Sequence, residues 1–321
     1  MLDFSILSDV RLGGVICALL IILPCFVLVS WRFQIILDAL GLRAPFGRAL
    51  QWTMIGEFFS SALPLATGGD LVKAVYAAQA YGKGRRGIAV LAVLLDRVVG
   101  LFGLFLFALL ICLFGGTTIT DNPRLSELTR VLIAVCGASV VAFLFAVSPW
   151  VARSRWRQAL VARLPWGDKL ERVYIGFAGM RQRPGKLALV LGLSLVNHTL
   201  WCSSLLVLAR AVGLDFDILK GLVVIPLALF LNTFGFAGGF GVGEAAFEVL
   251  FHTMLLLPKG VGGGFAVAYH VLALLVRVVL GLPVYLMAGP ARLHEDLKEA
   301  QEKDEDGDGG ASGVAGPPAH P

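Results

Sequence analysis

Seven charged side chains stand inside apolar stretches of the sequence: Glu57, Asp70, Lys73, Asp96, Arg97, Glu244 and Arg277. Asp70 and Lys73 are three residues apart, Asp96 and Arg97 are adjacent, and Arg277 lies about 13 residues, roughly 20 Å, into the apolar run that opens at Gly264. An arginine at that depth costs at least about 2.5 kcal/mol even on a lenient insertion scale, so it must pair or face water. Glu244 and Glu248 are its expected partners, with Glu57 in the wall of the same cavity. In such a setting Arg277, Arg97 or Lys73 can meet a phosphate, Lys73 as a point charge. Asp70 and Glu244 can balance that charge or hold a coupling cation. Both acids have a plainer reading, as first-turn residues that complement a helix dipole. Arg97 reads equally as an interfacial residue, because Val98 to Gly115 can span without it. Asn197, His198 and His270 read as helix-packing polar groups rather than proton carriers. No catalytic residue, metal ligand or cofactor is expected.

The elements that must position these groups are helices in a membrane. The 321 residues are 57% hydrophobic and 15% charged, against roughly 45–50% and 25% in soluble domains. Several apolar runs reach the roughly 20 residues a helix needs to cross a bilayer. The formal charge of +5 is not a nucleic-acid signature, since the basic residues fall between apolar runs and set orientation. Cys17, Cys25, Cys112, Cys136 and Cys202 all lie within those runs, so neither disulfides nor a zinc site is expected. Asp3 and Asp9 precede the first run and no small-residue cleavage site follows it, unlike a cleaved signal.

The fold class expected is all-α: a polytopic membrane protein of about five full spans plus two re-entrant or broken hairpins, with seven or eight spans as the alternative. The spans read as Leu12–Ser30, Ile88–Phe114, Val131–Val147, Leu187–Ala209 and Gly264–Gly289. Trp31, Arg32, Arg43 and Arg48 after the first place the N-terminus outside and the C-terminus in the cytoplasm. Ala49 to Leu63 offers only about 15 residues, short of a ~30 Å core, before Pro64 and Gly68-Gly69. A short helix, Asp70–Tyr81, follows, and basic residues flank both ends of the pair, as in a hairpin that enters and leaves by the cytoplasmic face. Val223–Phe234 likewise stops at a glycine run with Gly238, Gly239 and Gly241, before a short helix Glu244–Leu257. Residues 150–186 carry nine basic residues interleaved with Trp150, Trp156 and Trp166, the pattern of short interfacial helices. Residues 293–321 read as a disordered tail. Its Asp304-x-Asp306-x-Asp308-Gly309 opens like a calcium loop, but Ala315 stands where the final glutamate belongs.

Residues 1–292 then form one transmembrane domain with two halves, about 12–115 and 187–289, joined by a span 129–149 and the basic segment 150–186. Each half runs apolar helix, glycine break, acid, short helix and a span carrying Arg-Val-Val, at Arg97 and at Arg277. Loop charges bring the first hairpin in from inside and the second from outside, an inverted-topology repeat of the kind on which transporters are built. Pro64, Gly68, Gly69, Gly238, Gly239 and Gly241 are the expected backbone breaks, whose freed amides and carbonyls must face protein or a water-filled cavity.

Leu63-Pro64, Gly68-Gly69-Asp70 with Lys73, Asp96-Arg97 heading the next span, and the glycine break ending in Glu244 together carry a resemblance. Over Leu12–Arg292 the chain resembles the lysylphosphatidylglycerol synthase transmembrane region, a family of flippase-like membrane proteins. It departs from the family pattern at Leu65-Ala66, where Gly-Arg is usual, at Lys73, where arginine is usual, and at Phe236-Ala237, where a proline precedes the glycines. These departures leave the bound headgroup open. The resemblance implies a bacterial or archaeal inner-membrane protein that moves a phospholipid, aminoacylated lipid or glycolipid between leaflets. It implies membrane lipids as partners and no synthase activity, because no soluble transferase domain is expected after residue 292. No ATP-binding loop of the Gly-x-x-x-x-Gly-Lys type occurs, so any transport is passive or ion-coupled. Three other functions fit less of the sequence. One is a membrane glycosyltransferase using a lipid-linked donor, with Asp215 and Asp217 as its metal pair. Another is a non-catalytic partner of a lipid-synthesis complex or a glycosyltransferase, docking through residues 150–186. The third is a small-solute transporter on the same inverted scaffold.

Overall fold

The computed structural model describes residues 10–63, 68–114, 123–148, 180–235 and 239–288. Among these the chain forms nine α-helices and no strands. They are α1 (Leu12–Ala39), α2 (Phe46–Ala62), α3 (Gly68–Gln79), α4 (Arg86–Phe114), α5 (Pro123–Val147), α6 (Pro184–Ala211), α7 (Ile218–Asn232), α8 (Val242–Met254) and α9 (Val261–Ala288). α1, α4, α6 and α9 are long and apolar enough to cross a membrane. Their outward faces are apolar, as at Val271, Leu275 and Val279 of α9, which suits hydrocarbon and not water. The fifth expected span is a helix of 25 residues whose apolar stretch is the shorter Thr129–Val141. This is a multi-pass integral membrane protein. Residues 150–179, Pro64, Gly238 and the tail from residue 293 lie outside the described residues.

The two halves match element by element. α1 and α6 have 28 residues each, α2 and α7 have 17 and 15, α3 and α8 have 12 and 13, and α4 and α9 have 29 and 28. Their packing exchanges in the same way: α2 lies on α3 and α7 on α8, α3 on α4 and α8 on α9, α2 on α9 and α7 on α4.

α1 and α6 pack along each other. Arg11 N–H donates to the Ala211 carbonyl at 2.8 Å and Ser204 Oγ to that of Ala18 at 2.8 Å. Arg32 donates to Ser194 Oγ at 3.0 Å, and Lys186 pairs with Asp38. Residue numbers rise along one helix as they fall along the other, so the helices are antiparallel. The halves are therefore related by inversion of topology, as the loop charges indicated.

The hairpins differ in how they break. α2 ends at Leu63, which leaves the helix for extended backbone at φ −95°, ψ 143°. Gly68 and Gly69, expected in the break, instead form the first turn of α3. Their smallness serves packing: a Cβ on Gly69 would lie 2.0 Å from Ser60 Oγ and 2.1 Å from the Gly56 carbonyl oxygen. Gly56 and Ser60 on α2, four apart, face Gly69 and Lys73 on α3, also four apart, and let the two backbones touch. In the second hairpin glycine makes the break itself, since Gly239 and Gly241 hold φ at 117° and 85°.

Candidate functional site

At roughly 1.5 Å per residue, α2, α3, α7 and α8 run only about 18–26 Å, too short to cross alone. Where the α2–α3 hairpin meets α1, α4, α6 and α9, a cavity of about 230 Å³ opens. Six of the seven charged candidates line it: Glu57, Asp70, Lys73, Asp96, Arg97 and Arg277.

Its innermost group is a buried charge network. Asp96 on α4 accepts from Arg32 Nε at 2.7 Å through one oxygen and from Lys73 Nζ at 2.9 Å through the other. The Arg32 fork also donates to the Asp96 carbonyl at 3.3 Å and to Ser194 Oγ at 3.0 Å. Lys73 sits 3.8 Å over the Phe33 ring, a cation–π contact. Asp96 thus ties α1, α3 and α4 together. All three side chains are 7% exposed or less, and breaking such a network from one side strands the remaining charges in low dielectric.

Two further ion pairs are more open. Arg97 on α4 holds Asp70 of α3 at 3.1 Å, each side chain 34% exposed. Arg277 on α9 holds Glu57 of α2 at 3.1 Å, and its NH1 lies 3.5 Å from Ser61 Oγ. Arg277 therefore bridges the second half to the first hairpin, and Glu57 takes the place expected for Glu244 and Glu248. Those two carboxylates have local duties instead. Glu248 caps α9, accepting from Gly260 N–H at 2.7 Å and Gly263 N–H at 3.0 Å. Glu244 caps α8, accepting from Gly241 N–H at 2.6 Å, and its other oxygen meets His270 Nδ1 at 2.8 Å. It lies outside the cavity lining.

Four cations, Arg32, Lys73, Arg97 and Arg277, line the cavity against three carboxylates, Glu57, Asp70 and Asp96, leaving one formal positive charge in excess. Thr53 Oγ1 and Asn197 Oδ1, both in the lining, are buried without a hydrogen-bond partner. His198 is engaged with the Gly100 carbonyl at 2.9 Å. The arrangement is that of a small chamber lined by paired charges with one formal positive charge in excess, set among helices whose outer faces are apolar.

Arg32 is the member that sequence reasoning missed. Trp31-Arg32 after an apolar run reads as the cytoplasmic edge of a span, but α1 continues through it to Ala39. The signal was present: Phe33, Ile35, Ile36 and Leu37 beyond the arginine are apolar and buried. The repeat register also needs correction. The Arg-Val-Val match equates Arg97 with Arg277, whereas the contact pattern equates the Asp70–Arg97 pair with Glu244–His270. In each half an acid opening the short helix binds a base on the next span. Asp215 pairs with Arg210, and Asp217 accepts from Lys220 N–H at 3.0 Å as the cap of α7. The Asp-x-Asp pair thus has structural employment. Among the described residues no cluster of His, Cys, Asp or Glu suited to a metal occurs.

No curated protein and no solved structure matches the chain. The family model described as lysylphosphatidylglycerol synthase TM region matches residues 4–281. With the inverted halves, the paired hairpins and the charged chamber between them, the chain belongs to that lysylphosphatidylglycerol synthase transmembrane-region family.

Proposed function

We propose that the protein moves a lipid between leaflets of a bacterial or archaeal cytoplasmic membrane, with an anionic headgroup in the chamber and its acyl chains left in lipid. One observation carries this reading: the chamber, at the meeting of two inverted halves, has one more cation than carboxylate. A phosphodiester carries a single negative charge and matches that excess. The volume of about 230 Å³ is below the range of about 300–1,000 Å³ of sites that enclose a whole drug-sized ligand. It suits a headgroup alone.

Two classes of ion pair divide the work. The Arg32–Asp96–Lys73 network is fully buried and holds the walls. Arg97–Asp70 and Arg277–Glu57 are exposed to the chamber, so an incoming phosphate can exchange with their carboxylates for the guanidinium donors, which suit it in bidentate geometry. Thr53 and Asn197 supply further polar atoms. The charge pattern supports an N-terminus outside and a C-terminus in the cytoplasm: Asp38 at the end of α1 sits against Arg183 and Lys186 at the start of α6, one basic, cytoplasmic side.

The test is translocation of fluorescent phospholipids, anionic and zwitterionic, in proteoliposomes. Wild type is expected to move the anionic lipid faster than protein-free liposomes. Arg277→Ala and Arg97→Ala are expected to lower that rate by about tenfold or more, since a hydrogen bond to a charged group is worth about 1.5–3 kcal/mol. Movement that neither substitution slows would remove the chamber from the path. No movement of any lipid would sink the transport reading.

A further inference from the structure

Outside the chamber, one polar cluster among the described residues is left without a role in headgroup binding. His270 of α9 is 2% exposed. Its Nδ1 meets Glu244 Oε1 at 2.8 Å and its Nε2 meets Asn232 Oδ1 at 2.8 Å. Phe240 covers the ring at a centroid distance of 4.5 Å. Gly243 makes room, since a Cβ there would lie 2.1 Å from Asn232 Oδ1 and 2.7 Å from the His270 ring. Three helices converge on the imidazole: α7 through Asn232, α8 through Glu244 and α9 through the histidine.

We propose that this Asn232–His270–Glu244 cluster is a proton-binding site that couples proton movement to lipid transport. The inference rests on the transport reading above and names its coupling ion. A carboxylate at Nδ1 accepts in either protonation state of the ring, so the choice is made at Nε2. There the partner is an amide, which can offer either an oxygen to a protonated nitrogen or an NH2 to a bare one. With the oxygen presented, both ring nitrogens face acceptors and the ring is an imidazolium. A half-turn of the amide about its terminal torsion presents NH2 and satisfies the neutral ring. The cluster therefore offers both ring nitrogens a partner in either charge state. The step is the binding of one proton to the Nε2 lone pair, and no other bond is made or broken. Glu244, whose side chain is 15% exposed, is the member through which water reaches the ring.

The link to the chamber is α9. His270 and Arg277 are seven residues apart, two turns on one helix face and about 10 Å along the axis. The charged side chains acting on the ring are Glu244 from α8 and Arg277 from α9 itself. α2 turns Glu57 to Arg277, and α1 and α6 turn Arg32 and His198 into the chamber. Loading a proton tightens α8 on α9 through a charged pair and adds positive charge on the face that carries Arg277. Releasing it does the reverse. The equivalent pair in the first half, Asp70–Arg97, has a guanidinium in place of the imidazole, so the imidazole switch is particular to the second half.

Two measurements decide the matter. In 15N-histidine-labelled protein in lipid nanodiscs, the resonances lost in His270→Gln identify the ring. They are expected to pass from singly to doubly protonated as the pH is lowered. Asn232→Asp should keep the ring doubly protonated to higher pH than in wild type. In proteoliposomes, an imposed gradient of about one pH unit is expected to concentrate anionic lipid in one leaflet by up to about tenfold. His270→Gln should abolish that bias. A ring fixed in one state overturns the proton site. A gradient response retained in His270→Gln, or driven equally by sodium, overturns the coupling. Wild type that moves no lipid would fail the transport reading, and the resonances would still decide whether the proton site exists.

Discussion

Asp96 shows how much one residue can be asked to do. It alone neutralises Arg32 and Lys73, and all three are buried. Asp96→Asn keeps the shape but leaves two cations facing a dipole. Removing one partner of a buried pair costs about 3–5 kcal/mol, so this variant is expected to melt well below wild type in detergent. Asp70→Asn, at a pair one-third exposed, should change the melt far less. An Asp96→Asn protein as stable as wild type would mean that water reaches the network. At this scale the sequence was legible where a charge interrupts an apolar run, which is why Asp70, Lys73, Asp96, Arg97 and Arg277 stood out. It was less legible in choosing partners. Arg277 reaches Glu57, 220 positions away, and nothing local distinguishes that acid from Glu244. Arg32 was hidden by a sound rule, since tryptophan and arginine do mark membrane edges.

The hairpins are the elements on which the site hangs. Gly69 lies at the closest approach of α2 and α3, where a methyl has no space. Gly69→Ala is expected to destabilise by about 1–3 kcal/mol, the usual cost of overpacking. Gly47 is also on this hairpin, and a methyl placed there would meet nothing within 4 Å. Gly47→Ala should therefore stabilise slightly through helix propensity, by about 0.5–1 kcal/mol. Equal effects in thermal melts would show that the crossing is looser than described. The short lengths of these helices were plain from the sequence. The placement of Gly68-Gly69 was not, because a glycine pair beside a proline reads as a break, and only the facing Gly56 and Ser60 reveal it as a contact surface. In the second hairpin the same residue type does form the break, through two positive φ angles.

For the molecule as a whole, antiparallel packing of α1 on α6 is the organising relation. It is open to a direct check by cross-linking. A Cβ on Gly14 would stand 2.7 Å from that of Ala211, closer than the about 3.5–4.5 Å between the Cβ atoms of a disulfide, so the helices need part only by about an ångström to bring a cysteine pair into bonding range. Gly14→Cys with Ala211→Cys, introduced after replacing the native cysteines, should cross-link on mild oxidation, whereas Gly14→Cys with Lys186→Cys should not. The reverse result would make the halves parallel. Loop charges made the inversion legible in the sequence. The register between halves was not legible, because the repeated Arg-Val-Val string is a similarity of letters and not of position.

The α1–α6 pair has a consequence for the direction of the proposed transport. Turned end over end, a scaffold built on two antiparallel, equal helices presents nearly the same backbone to either face of the bilayer. Helices arranged this way have no built-in forward or reverse. In the proposed transport, a preference for one direction would come from features by which the halves differ, among them a guanidinium at Arg97 against an imidazole at His270, and an arginine reaching across from one half alone. Exchanging those side chains between the halves would be the route to running it backwards.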